Sequence, residues 1–237
     1  SNESNTRESQ HKASLIDVTI VPKLYLEHSG SMFAYDGPNS TGEFKNTLVT
    51  VLNNFNELKP KSSFVYIVNN QVYGYSKDFK GLVESPTIFE KGIGDATYTD
   101  FEGIFSTILR DTKNNQIAIL FSDLIYSGKG MQTQASQRIL DAARQLSHNA
   151  FATKAANISA LIIKLQSDYQ GRYYPFNMSK YGIHYSGLRP YYLCLFAENA
   201  TMQRFLTEEK YTKTRAFMQL PNYQNALFFG KGSFIAN

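Results

Sequence analysis

A chain of 237 residues is longer than most single domains, yet one large α/β domain can hold it around a single core. Hydrophobic content of 42% and charged content of 19% are those of an ordinary globular protein. The net charge of +4 is spread along the chain with no dense Lys/Arg run, which excludes a nucleic-acid site or a polybasic membrane patch. No apolar stretch approaches the roughly 20 residues needed to span a bilayer.

The first dozen residues, 1–12, are almost wholly polar and are expected to form a flexible tail, with one domain over 13–237. Such a tail suits a tether behind a removed signal or lipid anchor in the cell envelope, and equally a piece of a cytosolic protein. Leu15 to Leu26 reads as a first strand, apolar and β-branched, ending at Glu27. Tyr35 to Ser40 is turn chemistry. Phe44, Leu48, Val51, Leu52 and Phe55 then recur at helical spacing over Glu43 to Phe55. Phe64 to Val68 and Val72 to Tyr75 flank Asn69-Asn70-Gln71 and read as a hairpin.

Phe101, Ile104, Phe105 and Ile108 mark a second helix over Asp100 to Leu109. Gln116 to Phe121 is a continuous apolar strand ending at Ser122-Asp123. A longer helix is expected over Gln134 to Phe151, with Ile139, Leu140, Ala143 and Leu146 inward. Ile158 to Leu165 and Tyr191 to Ala197 are further apolar strands, the second holding the single Cys194, expected as a buried thiol. Met202, Phe205 and Leu206 suggest a last helix, and Ala226 to Phe229 a last strand. Strands alternating with helices, and central strands apolar throughout, argue for α/β architecture with a parallel sheet covered on both faces. Ligand sites in such folds gather at the carboxyl ends of the strands.

Three loops fall where a strand ends or a helix begins, so all three can lie on one rim of the sheet. Glu27-x-Ser29-x-Ser31 puts a carboxylate and two hydroxyls at alternate positions on a turn softened by Gly30. Gly94 to Phe101 opens the second helix and carries Thr97 and Thr99, and Phe121-Ser122-Asp123 closes a buried strand. Oxygen-only ligands of mixed charge suit a hard divalent cation. The order and content of these loops resemble the metal-ion-dependent adhesion site of von Willebrand factor A domains, over roughly Leu15 to Phe205. The resemblance implies a three-layer α/β/α sandwich with a mostly parallel, Rossmann-like sheet. It also implies Mg²⁺, or Mn²⁺ or Ca²⁺, bound by Ser29 and Ser31 directly, by Thr99 directly or through water, and by Asp123 mostly through water.

Position 27 departs from the family's first Asp. Glu carries its carboxylate about 1.5 Å further from the backbone, and Mg²⁺ tolerates little displacement from octahedral geometry at about 2.1 Å. Glu27 therefore either binds directly in place of a water or abolishes the site. The same residues also have plainer readings, with Ser29, Ser31 and Thr99 capping turns and Asp123 an ordinary strand-end acid. His28 reads as a solvated loop residue, and the shortage of further His or Cys argues against zinc.

By the resemblance the chain is a protein-interaction module, not an enzyme, and a partner's acidic residue completes the metal's coordination. A second reading places recognition in the segment 169–192, which holds seven of the 16 tyrosines interleaved with basic residues; Tyr173, Tyr174, Tyr181 and Arg189 are its candidate contacts. A metal-assisted hydrolase is a third, and it lacks an evident general base with a positioned partner. Gly128-Lys129-Gly130 lacks the rest of a phosphate loop.

Overall fold

The computed structural model describes residues 18–124, 157–173 and 183–230. The tail, the Gln134–Phe151 helix, Gly128-Lys129-Gly130, Tyr174 and Tyr181 lie outside the described residues. Strand β1, Val21–Glu27, is buried along its whole length and has a parallel strand on each side of it. Those neighbours are β2, Phe64–Val68, and β4, Gln116–Ser122. Strand β3, Val72–Gly74, folds back on β2 as the expected hairpin. The first strand begins at Val21, with 18–20 outside it.

The other half of the sheet differs from expectation. Strands β5, Ile158–Tyr173, and β6, Ile183–Glu198, are each 16 residues long and pair antiparallel along their full length. Strand β6 also pairs antiparallel with β4, and β7, Tyr223–Phe229, pairs antiparallel with β5. The seven strands take the order β3-β2-β1-β4-β6-β5-β7. The sheet is thus mixed, and among the described residues its ladders are parallel only where β1 meets β2 and β4. A strand buried on both faces reads as the same apolar run whichever way it points, so composition did not distinguish the two cases.

Alternate residues of each strand face opposite ways, and each face carries its own cluster. On one, Leu24, Leu26, Ile119, Phe121 and Leu193 meet helix α2, Glu43–Asn56, through Phe44, Leu48 and Leu52. The same cluster takes in α3, Phe79–Val83, and α5, Asn199–Thr207, through Phe79, Met202 and Phe205. On the other, Tyr25, Ala118, Leu120 and Cys194 meet helix α4, Phe101–Asp111, through Ile104, Phe105 and Ile108. Burial pushes the Cys194 thiol up to about 12, so it stays a neutral apolar filler. Among the described residues no helix is long and apolar enough to cross a membrane.

Strand β4 meets β6 only between Ala118↔Phe196 and Ser122↔Tyr192. Beyond that level Gln166–Tyr173 and Ile183–Pro190 continue as a two-stranded ribbon past the carboxyl ends of β1 and β4. Several contacts hold it down, among them Asp168 N–H donating to Glu43 Oε2 at 2.9 Å. Tyr35 Oη donates to the Pro190 carbonyl at 2.5 Å. Thr41 donates to Asp168 from its backbone N–H at 2.9 Å and from its hydroxyl at 2.8 Å. Gly171 packs so closely that a Cβ there would stand 2.4 Å from the Cβ of Ala34.

Candidate functional site

The carboxyl ends of β1, β2 and β4 lie level, with Leu26 opposite both Ile67 and Phe121. The chain leaves β1 at Glu27, makes one helical turn, α1 (Gly30–Phe33), and so points Ser29 and Ser31 back toward the strand end. Backbone bonds lace the first loop to its neighbours. His28 N–H donates to Val68 O at 2.9 Å, and Gly30 N–H to Ala96 O at 3.1 Å.

Glu27 and Ser29 have 0% exposure, as do Thr99, Ser122 and Asp123. Ser31 is half-buried and Gly30 beside it is exposed. Each oxygen of Glu27 accepts a hydroxyl. Ser29 Oγ donates to Oε2 and Ser122 Oγ to Oε1, both at 2.5 Å, while Ser31 Oγ lies 3.1 Å from Ser29 Oγ. The longer side chain of Glu thus reaches across to β4 and ties two strand ends together. Ser122 Oγ accepts in turn from Leu124 N–H at 2.8 Å, where the chain turns through a left-handed residue, φ 54°.

Of the two middle-loop threonines, Thr97 is exposed and folds onto Asp95, its hydroxyl donating to Oδ1 at 2.5 Å. Thr99 is the buried one, and its hydroxyl oxygen makes no hydrogen bond. It does not cap α4. Asp100 does, accepting from Gly103 N–H at 3.1 Å.

Burial drives the Glu27 carboxyl well above its ordinary range, and the neighbouring Asp123 carboxylate adds to the rise; the two serine hydroxyls oppose it. The Tyr35 hydroxyl is also raised, first by burial and then by Asp123, with the Arg189 guanidinium opposing. Asp123 N–H donates to Met32 Sδ at 3.2 Å, which fixes the start of the third loop against α1.

His28 lies in the loop after β1 but is not solvated as expected. It is buried with its ring edge-on to Phe33 and Phe89, at centroid distances of 6.0 and 5.3 Å. Burial pushes it down to about 4. The carbonyls of Glu90 and Ile88 oppose that shift without making a hydrogen bond of normal geometry to either ring nitrogen.

The donor set fits a hard cation. It consists of carboxylate and hydroxyl oxygens, a serine that donates to Glu27 keeps its lone pairs for a metal, and Thr99 supplies a buried oxygen with nothing bonded to it. Among the described residues no group of three or more His, Cys, Asp or Glu side chains is gathered, so any cation here would rest on hydroxyl oxygens beside the two acids.

Of the aromatic segment, Tyr173 ends β5. Arg189 lies on the ribbon, its guanidinium 5.1 Å from the Tyr169 ring centroid and 5.9 Å from that of Tyr185. Two buried polar positions at this rim escaped the sequence reading. Ser122 passed as the end of a strand, and its one signal was a hydroxyl directly before Asp123. Asn69 passed as turn chemistry.

Fold and site together define a mixed α/β protein whose strand-end rim buries two acids among hydroxyls. Comparison of the chain with family models, with curated proteins and with solved structures found no match.

Proposed function

We propose that the chain is a protein-interaction module of the von Willebrand A type, a three-layer sandwich around its sheet, that recognises a partner's carboxylate through a divalent cation. The observation that carries this reading is the pairing of Glu27 with Asp123, two fully buried acids at one rim, with Glu27 met only by serine hydroxyls. Burying like charges together is costly, and without a cation the cost is met by Glu27 keeping its proton, which leaves a place for positive charge. Mg²⁺, Mn²⁺ or Ca²⁺ would supply that charge together with a coordination position for the partner's acidic side chain.

Ser29, Ser31, Thr99 and Asp123 hold the ion in this reading. Glu27 acts one step back, accepting from Ser29 and Ser122 so that the serine lone pairs face inward. Binding, not turnover, is the expected activity. Calorimetric titration with each of the three cations tests it. Heat of binding with at least one, lost in Asp123→Ala, is the expected result, and no heat with any of them would remove the metal from the account.

The second reading is a metal-independent assembly module, favoured by the ribbon, where Tyr185 and Leu188 are exposed beside the Arg189 stack. In that case removing 173–186 abolishes partner capture and EDTA leaves it unchanged.

A further inference from the structure

The hairpin turn after β2 does more than reverse the chain. Asn69 is completely buried, and its side chain spans two of the three loops. Its Nδ2 donates to His28 O at 3.1 Å, in the first loop, and to Ile93 O at 2.8 Å, in the middle loop. Its Oδ1 accepts from Asn70 N–H at 2.8 Å. Two carbonyls facing one end of the amide and an N–H facing the other fix its orientation. The backbone of the same residue completes the clasp, since Asn69 O accepts from Asp100 N–H at 2.9 Å, directly after Thr99.

Asn70 adds a second tie. Its Oδ1 accepts from Asp95 N–H at 2.9 Å and from Tyr73 Oη at 2.9 Å. Gly94 lies between these bonds with φ +62°, and a Cβ there would stand 2.3 Å from Asn69 Oδ1 and 2.9 Å from Asn70 Oδ1. The middle loop is therefore moulded onto the two amides, and only glycine allows that approach.

We infer that Asn69, aided by Asn70, is the positioning residue of the candidate site: its amide sets the distance between the loop carrying Ser29 and Ser31 and the loop carrying Thr99. The inference rests on the metal-bridged reading above. Neither amide touches the ion. Each acts through the loops, as groups behind metal ligands do when they fix the ligands' geometry. Mg²⁺ requires near-ideal octahedral spacing, whereas Ca²⁺ accepts a looser cage. Loosening the clasp should thus damage Mg²⁺ binding more than Ca²⁺ binding, and a general loss of stability would not produce that split.

The test uses Asn69→Ala, and Asn70→Ala as the milder variant should the first not fold. Each is titrated calorimetrically with Mg²⁺ and with Ca²⁺, and backbone hydrogen exchange is followed in EDTA. Asn69→Ala should weaken Mg²⁺ by roughly 10- to 100-fold and Ca²⁺ by clearly less, with a smaller shift of the same kind in Asn70→Ala. In EDTA the amides of Gly30 and Asp100 should exchange faster together. Equal weakening of both cations, or unchanged exchange at those two amides, would overturn the inference. If the wild type binds neither cation while the exchange result holds, the metal reading fails and the positioning role falls with it, leaving a purely structural clasp.

Discussion

The two halves of the sheet solve different problems. In the parallel half, β1, β2 and β4 run the same way and stop at one level, so their following loops meet. Glu27, Ser29, Thr99, Ser122 and Asp123 are all buried there. In the antiparallel half, β5 and β6 continue past that level as a ribbon with exposed side chains, Leu188 at 54% among them. Parallel strands gather their carboxyl ends on one edge, whereas a hairpin sends each strand's end to the opposite edge from its neighbour's. The polar site belongs to the half whose topology collects loop ends, and the ribbon supplies a wall and an outer surface.

The sharpest contrast between the halves should appear in stability. Leu24 is fully buried in β1, so Leu24→Ala should cost about 2–5 kcal/mol in urea unfolding. A loss below about 1 kcal/mol would mean that β1 is not the packed centre.

The buried acids should show next. The folded chain holds the Glu27 proton to higher pH than the unfolded chain, whose value is near 4.5. Without metal, the Glu27 contribution to stability is therefore fully present below that value and is lost as pH rises through the raised folded one. Glu27→Gln should remove this fall and raise the metal-free Tm at pH 7.5, by about 2–4 °C for each kcal/mol recovered. A lower Tm in the variant at that pH would show that the carboxylate is stabilising where it lies.

His28 works in the opposite sense. Its folded value of about 4 lies below the ordinary 6.5, so stability is lost as pH falls from 6.5 towards 4. Over that window the loss is about 3 kcal/mol. His28→Phe keeps the ring packing against Phe33 and Phe89 and should flatten this acid-side loss. An unchanged acid arm in the variant would place the titration elsewhere. The smallest effect belongs to the ribbon, where Leu188→Ser should change stability by less than about 0.5 kcal/mol.

Much of this arrangement was legible in the residues. Phe44, Leu48, Val51, Leu52 and Phe55 repeat at helical spacing, and the helix found is Glu43–Asn56. The hairpin around Asn69-Asn70-Gln71 was legible because β-branched and aromatic runs flank an amide-rich turn. Strand direction was not, for Leu161 to Ile163 and Leu193 to Leu195 are buried on both faces and carry no mark of polarity. The ribbon did leave a signal. Leu165, Ser167 and Tyr169 are buried in alternation with half-buried Gln166, Asp168 and Gln170, a period of two hidden by the serine among the buried positions.

The site was legible as three loops and less so as geometry. Glu27 read as a ligand with an awkward extra methylene. Its reach to Ser122 on β4 depends on a pairing between segments 95 residues apart, which local pattern does not encode. The preference for Thr99 over Thr97 rests on the resemblance alone, and what local pattern does not show is that the Thr97 hydroxyl folds back onto Asp95.

The central claim is that the paired acids at the parallel rim form a cation site whose charge costs stability until it is filled. The most direct measurement is the unfolding midpoint at pH 7.5 against Mg²⁺ concentration, for the wild type and for the double variant Glu27→Gln/Asp123→Asn. The wild type should gain about 1.4 kcal/mol per tenfold rise in Mg²⁺ once the site is mostly filled. The double variant should start higher and stay flat. A flat wild-type curve, or two curves that rise together, would contradict the account.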